Sequence, residues 1–146
     1  MASEHFSWAE LTHSDTAISA GLDNTPTPEA EANLQRLVGV LEKVRTLLGD
    51  KPMVISSGYR SPAVNIACSG ATNSAHVQGL AADWVCPDFG TPLEICCHLE
   101  PHVAELGIDQ LIYDWTWCHL GLSADTQEAR NQCLTINENG TNTGFA

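Results

Sequence analysis

Basic residues are scarce in this chain. Six Lys and Arg stand against 18 Asp and Glu, for a formal net charge of -12. That balance excludes phosphate-driven binding to nucleic acid and bulk adsorption to anionic membranes. Long apolar runs are also missing. None approaches the roughly 18 residues needed to cross a bilayer, so membrane insertion is not expected. The opening Met1–Asp15 segment has no basic patch followed by an apolar stretch, so it does not read as a secretory signal. The expectation is synthesis in a cytoplasm, with any action outside it depending on a separate route of release. No internal repeat or linker appears. Six cysteines are present, yet none forms a C-x-x-C pair, which excludes a zinc ribbon and a thioredoxin-type motif. Free, buried thiols are the expectation for most of them.

What is present fits one domain. Ser7-Trp8-Ala9-Glu10 has the spacing of a capping box, with Phe6 and Leu11 placed as a hydrophobic staple, so a short helix starts there. Gly21 to Pro28 reads as a loop. Thr27 caps a long helix with Pro28 at its first position. Leu34, Leu37, Val38, Leu41, Val44 and Leu48 recur at helical spacing until Gly49. Short β-rich runs cover Met53 to Ser57, Leu80 to Val85, Ile108 to Tyr113 and Trp117 to Leu122, with Asp114 to Thr116 as a hairpin turn between the last two. Ala63 to Cys68 reads as a short helix. A further helix opens at Thr91-Pro92-Leu93-Glu94 and is expected to run to about Leu106, before Gly107. Residues 1–136 form the domain. The Asn-, Gly- and Thr-rich stretch 137–146 is expected to be a flexible tail. The fold class is α+β, with helices on one face of a small, mostly antiparallel sheet.

The chemistry concentrates in Ser74-Ala75-His76-Val77-Gln78-Gly79-Leu80-Ala81-Ala82-Asp83. Gly79 permits a sharp turn, and Ala81 and Ala82 permit close approach, so His76 and Asp83 can converge. Trp117-Cys118-His119-Leu120 sets another histidine in a strand. Two imidazoles and one carboxylate, with a position left open, suit a catalytic zinc site. Spacing alone leaves other readings standing: surface polar groups for His76 and Asp83, a satisfied core histidine for His119. Strand alternation turns Cys118 away from His119, toward the core. His98 and His102 share a helix face at a spacing that can bind metal, but exposed helix positions account for them as well.

The pattern S-x-H-x-x-G-x-A-x-D followed by W-x-H resembles the D-Ala-D-Ala carboxypeptidase family of zinc peptidases, which includes phage endolysins. The resemblance extends over Ile55 to Pro62, Asp109 to Tyr113 and the opening Phe6 to Thr12, the last being similar to small stand-alone phage members. It implies a hedgehog/DD-peptidase fold. It also implies one zinc ion on His76, Asp83 and His119, and a substrate-binding Arg60 near the scissile bond, with Ser57 and Tyr59 on the same wall. Many relatives place the base carboxylate three positions before the last histidine, where this chain has Thr116. Asp114 is the nearest upstream carboxylate and is assigned as base, with Asp109 the second choice. The implied activity is hydrolysis of an amide in the peptidoglycan stem peptide by a monomeric endolysin released through a holin. The alternative is a non-catalytic zinc-containing binding or virion structural module of the same fold, as in hedgehog signalling domains.

Overall fold

The computed structural model describes residues 1–146. Helix α1 (Trp8–Thr12) carries the expected capping box: Ser7 Oγ accepts from Glu10 N, and the Glu10 carboxylate accepts from Ser7 N. Caps of this kind contribute about 1 kcal/mol. Phe6 and Leu11 are both buried beside it. A second short helix, α2 (Asp15–Ala20), was not among the expected elements; Ser14 caps it and Gly21 closes it in the left-handed region. The long helix α3 (Pro28–Leu47) starts at Thr27 as expected and buries Leu34, Leu37, Val38, Leu41 and Val44. Each such side chain contributes about 1.5–3 kcal/mol relative to exposure.

Strands β1 (Val54–Ser57), β2 (Ala81–Val85), β3 (Gln110–Asp114) and β4 (Trp117–Gly121) match the four expected runs, and α4 (Pro62–Ala67) follows β1. One expectation is corrected. Helix α5 (Pro92–Leu99) ends well short of Leu106 and passes into a single 3-10 turn, Glu100–His102. Pro101 causes this, because it has no N–H to donate to the carbonyl four residues back. Regular structure also continues past residue 136: β5 (Gln132–Asn137) and β6 (Gly140–Thr143) form an antiparallel hairpin, and β5 joins β3 in the sheet's single parallel pairing.

The strand order is β1-β2-β4-β3-β5-β6. Strand alternation divides the two faces. Ala82, Trp84, Leu111, Cys118 and Leu120 point into the core, where they pack with α3 and α5 residues such as Leu41, Ile95 and Leu99. The opposite face carries Asp83, His119 and Ile112, which sit in one cross-strand row, with Asp114 and Trp117 in the next. All six cysteines are free; Cys86, Cys96 and Cys118 are buried, Cys68 and Cys97 exposed. Cys118 faces the core as strand alternation requires.

Candidate metal centre

His76 belongs to a 3-10 turn, Ala75–Gln78, whose start is capped by Ser74 Oγ accepting from His76 N. Gly79, with φ 73°, then reverses the chain into β2. A Cβ at Gly79 would lie 2.4 Å from the Ala30 carbonyl oxygen of α3. Only glycine therefore allows this turn to seat against the long helix. The reversal returns Asp83 beneath His76, and the β2–β4 register sets His119 directly opposite Asp83.

The three side chains converge. His119 Nδ1 is 2.8 Å from Asp83 Oδ1, and His76 Nε2 is 3.4 Å from Oδ2. One donor atom from each residue lies within 4.8 Å of the others. The ring centroids of His76 and His119 are 5.3 Å apart. His76 Nδ1 donates to the Gly58 carbonyl at 2.8 Å. That bond orients the ring and, in a metal-binding imidazole, places the proton on Nδ1, so that Nε2 faces the centre. Gly58 also packs tightly against the end of α1: a Cβ there would sit 2.2 Å from the Leu11 carbonyl oxygen. Burial, the largest single influence on Asp83, pushes its carboxyl up, but hydrogen bonds and positive charge from His119 and His76 outweigh it and hold the group ionised. An ionised carboxylate with two imidazoles, one oriented from behind, fits a divalent metal.

These residues line a cleft of about 620 Å³ that also includes Arg60, Asp114 and Trp117. Arg60 N donates to the His76 carbonyl, Nη1 donates to Cys68 Sγ at 3.2 Å, and Nη2 reaches Ser74 Oγ at 3.5 Å. Its buried Nε has no partner within the protein. Asp114 ends β3 on the metal face, paired with Trp117 across the hairpin. Burial chiefly, then the negative charge of Asp83, raises its carboxyl above the ordinary aspartate value, while His119 and His76 pull the other way. Thr116 is exposed in the turn beyond.

The remaining expected residues divide. Ser57 lies opposite Asp83 in the β1–β2 register, at a bulge, and lines with Arg60 a second depression beside the cleft. Tyr59 is corrected: its side chain is 2% exposed and packed in the core, so it forms no part of the cleft wall. Asp109 is engaged by Arg130 and braces the chain between β4 and β5. His98 contacts Phe89 and the Leu47 carbonyl, and His102 pairs with Glu105, so neither is directed to a shared centre. Arg130 also lines the cleft, and the one sequence signal for it is the scarcity of basic residues.

A cleft on the open face of an α+β sheet, with a His–Asp–His cluster in which His76 is buried and Asp83 and His119 are part-buried, matches a mononuclear metal site of the kind hydrolases use. The chain belongs to the peptidase M15 family, whose model matches residues 4–118. The architecture is accordingly of the hedgehog/DD-peptidase type. The chain is also 37% identical over 79 residues to the zinc D-Ala-D-Ala carboxypeptidase of Streptomyces albus G, an alignment covering 54% of this chain and 30% of that protein. The chain thus matches less than a third of the curated relative's length.

Proposed function

We propose that this protein is a zinc-dependent peptidase that hydrolyses an amide bond in the peptidoglycan stem peptide. The observation that carries the proposal is the convergence of His76, Asp83 and His119 in one cleft with Asp114 and Arg60. The zinc in the name of the Streptomyces relative supports the choice of metal, as does the two-imidazole, one-carboxylate donor set.

Bound there, zinc supplies a Lewis acid that polarises the scissile carbonyl and acidifies the attacking water. His76, Asp83 and His119 would hold it. The Gly58 carbonyl keeps His76 in the tautomer that leaves Nε2 free. Asp114 takes the proton of the attacking water and passes it to the leaving nitrogen. Its raised carboxyl suits a group that must both accept and return a proton. Arg60, tied to the His76 loop through its main chain, binds a substrate carboxylate or the developing oxyanion. The side chain of Trp117 walls the cleft next to the base.

The bond cut is D-Ala-D-Ala, D-Ala-diaminopimelate or L-Ala-D-Glu. We assign the biological role of a phage endolysin, made in the host cytoplasm, reaching the wall through a holin lesion and acting as a monomer. The similarity of Phe6 to Thr12 to small phage members of the family supports this role. Zinc-loaded protein incubated with purified peptidoglycan is expected to release new amine ends, and mass spectrometry of the fragments identifies the bond. Absence of new amine ends refutes the peptidase reading.

A further inference from the structure

Two of the chain's six basic residues, Arg60 and Arg130, line the cleft. The net charge of -12 makes that placement selective. Of the others, Arg36 and Arg45 pair with Asp125 and Asp50 away from the cleft. Arg130 lies beyond the stretch matched by the family model, just before β5.

Its guanidinium is held rigidly. Nε lies 3.0 Å from Asp109 Oδ1, and Nη2 lies 2.7 Å from Oδ2. The Arg130 main-chain N also donates to Oδ1, at 2.8 Å. Asp109 is itself only 8% exposed. The Asp109 main chain is fixed as well, its N donating to the Gly121 carbonyl and its carbonyl accepting from Gln132 N. These bonds occupy one edge of the guanidinium and leave Nη1 without a hydrogen-bond partner. The Arg130 side chain is 57% exposed. A charged fork braced on one side and open on the other is prepared to receive a second carboxylate.

The sheet order gives the spacing. His119 stands on β4, and Arg130 leads into β5 two strands away, with β3 between. Two strand spacings are about 10 Å, and Arg130 also lies four residues before Leu134, the β5 residue in the row of His119, so several residues of an extended peptide separate the two. Arg60 follows β1, on the other side of the metal-binding strands.

We propose that Arg130 is a specificity-determining residue that recognises a substrate carboxylate several residues from the bond that is cut, and that Asp109 is its positioning residue. The proposal rests on the reading of the cleft as a peptidase site. It gives the cleft two anion-recognising ends, with the metal centre between them.

The test uses zinc-loaded wild type, Arg130→Gln and Arg130→Lys. Each is titrated with two stem-peptide fragments that differ only in whether the remote carboxylate is free or a carboxamide. Tryptophan fluorescence reads binding through Trp117, and kcat/KM is measured on the same peptides. Wild type is expected to prefer the free acid by about tenfold, the scale of one charge-assisted bond at a partly exposed site. Arg130→Gln is expected to lose that preference by weakening the acid alone, and Arg130→Lys to keep part of it. Equal losses on both peptides, an unchanged preference in Arg130→Gln, or no preference in wild type overturns the proposal. Binding with the expected preference but no cleavage refutes the peptidase reading while sustaining the role of Arg130 in recognition.

Discussion

Replacing Gly79 with alanine tests the argument for how the chain brings His76 and Asp83 together. Two costs are expected. At φ 73° an L side chain is strained, which costs about 1–2 kcal/mol. The new methyl carbon would also lie 2.4 Å from the Ala30 carbonyl oxygen and 3.1 Å from Leu34 Cγ. Ala30 is helix backbone in the first turn of α3, so relief requires the His76 turn and α3 to move apart. Overpacking of that kind costs about 1–3 kcal/mol. The total is about 2–5 kcal/mol, or about 5–15 °C in Tm for a domain of this size. Gly107 supplies the control: its φ is 68°, but nothing lies within 4 Å of its virtual Cβ. Gly107→Ala should therefore lose only the conformational cost. Urea unfolding of chelator-treated protein measures both without stabilisation from bound metal. Equal losses in the two variants, or a loss below about 1 kcal/mol for Gly79→Ala, would refute the claim that close packing against α3 makes glycine necessary.

His119→Ala should remove most bound zinc, measured by elemental analysis after dialysis; full occupancy would disqualify it as a ligand. Asp114→Asn should retain zinc and lose about 10²–10⁴-fold in kcat; wild-type turnover would move the base elsewhere in the cleft. Asp109 should contribute to acid stability with a defined sign. Its hydrogen bonds with Arg130 hold the folded carboxyl below the ordinary aspartate value, so its contribution is present above about pH 4 and fades as pH falls through the folded pKa. Asp109→Asn should be less stable at neutral pH and show a shallower acid limb, read from urea midpoints between pH 2 and 7. A variant as acid-sensitive as wild type would show that other carboxylates govern that limb.

The parts legible in the sequence are those governed by local rules. Thr27 and Pro28 announce α3 because a cap and a preset φ act within one turn, and the leucine spacing then shows its buried face. Strands β1 to β4 stand out by β-rich composition. Apolar spacing continues past Leu99 and predicts a longer α5, but Pro101 ends the hydrogen-bond ladder. The β5–β6 hairpin was hidden by its polar composition: all four β6 residues are exposed, so no apolar alternation is required of them. Its available signal was Asn139-Gly140, a turn-favouring pair.

The site was legible to different depths. His76, Asp83 and His119 are weak as bare spacing and become specific only with Ser74, Gly79 and Trp117 around them. Asp114 was found by proximity in sequence, and strand period explains its position: it lies two residues from Ile112, the neighbour of His119, and so shares that face. Tyr59 lies past the end of β1, where its N donates to the Leu11 carbonyl and its side chain joins the core, while Arg60 lines the cleft. Arg130 could not be assigned a place because its partner, Asp109, is 21 residues away and only the β3–β5 pairing joins them.

That pairing has a further consequence. Without β5, strand β3 would end the sheet, offering the unpaired backbone of Leu111, Ile112 and Tyr113 beside the cleft that holds His76, Asp83 and His119. An apolar open edge of this sort templates edge-to-edge association between molecules. The β5–β6 hairpin moves the boundary outward to Gly140–Thr143, a short strand of small, polar, exposed residues. The C-terminal hairpin is thus a solubility device as well as a cleft wall. A chain ending at residue 130 is expected to self-associate, even with His76, Asp83 and His119 all in place.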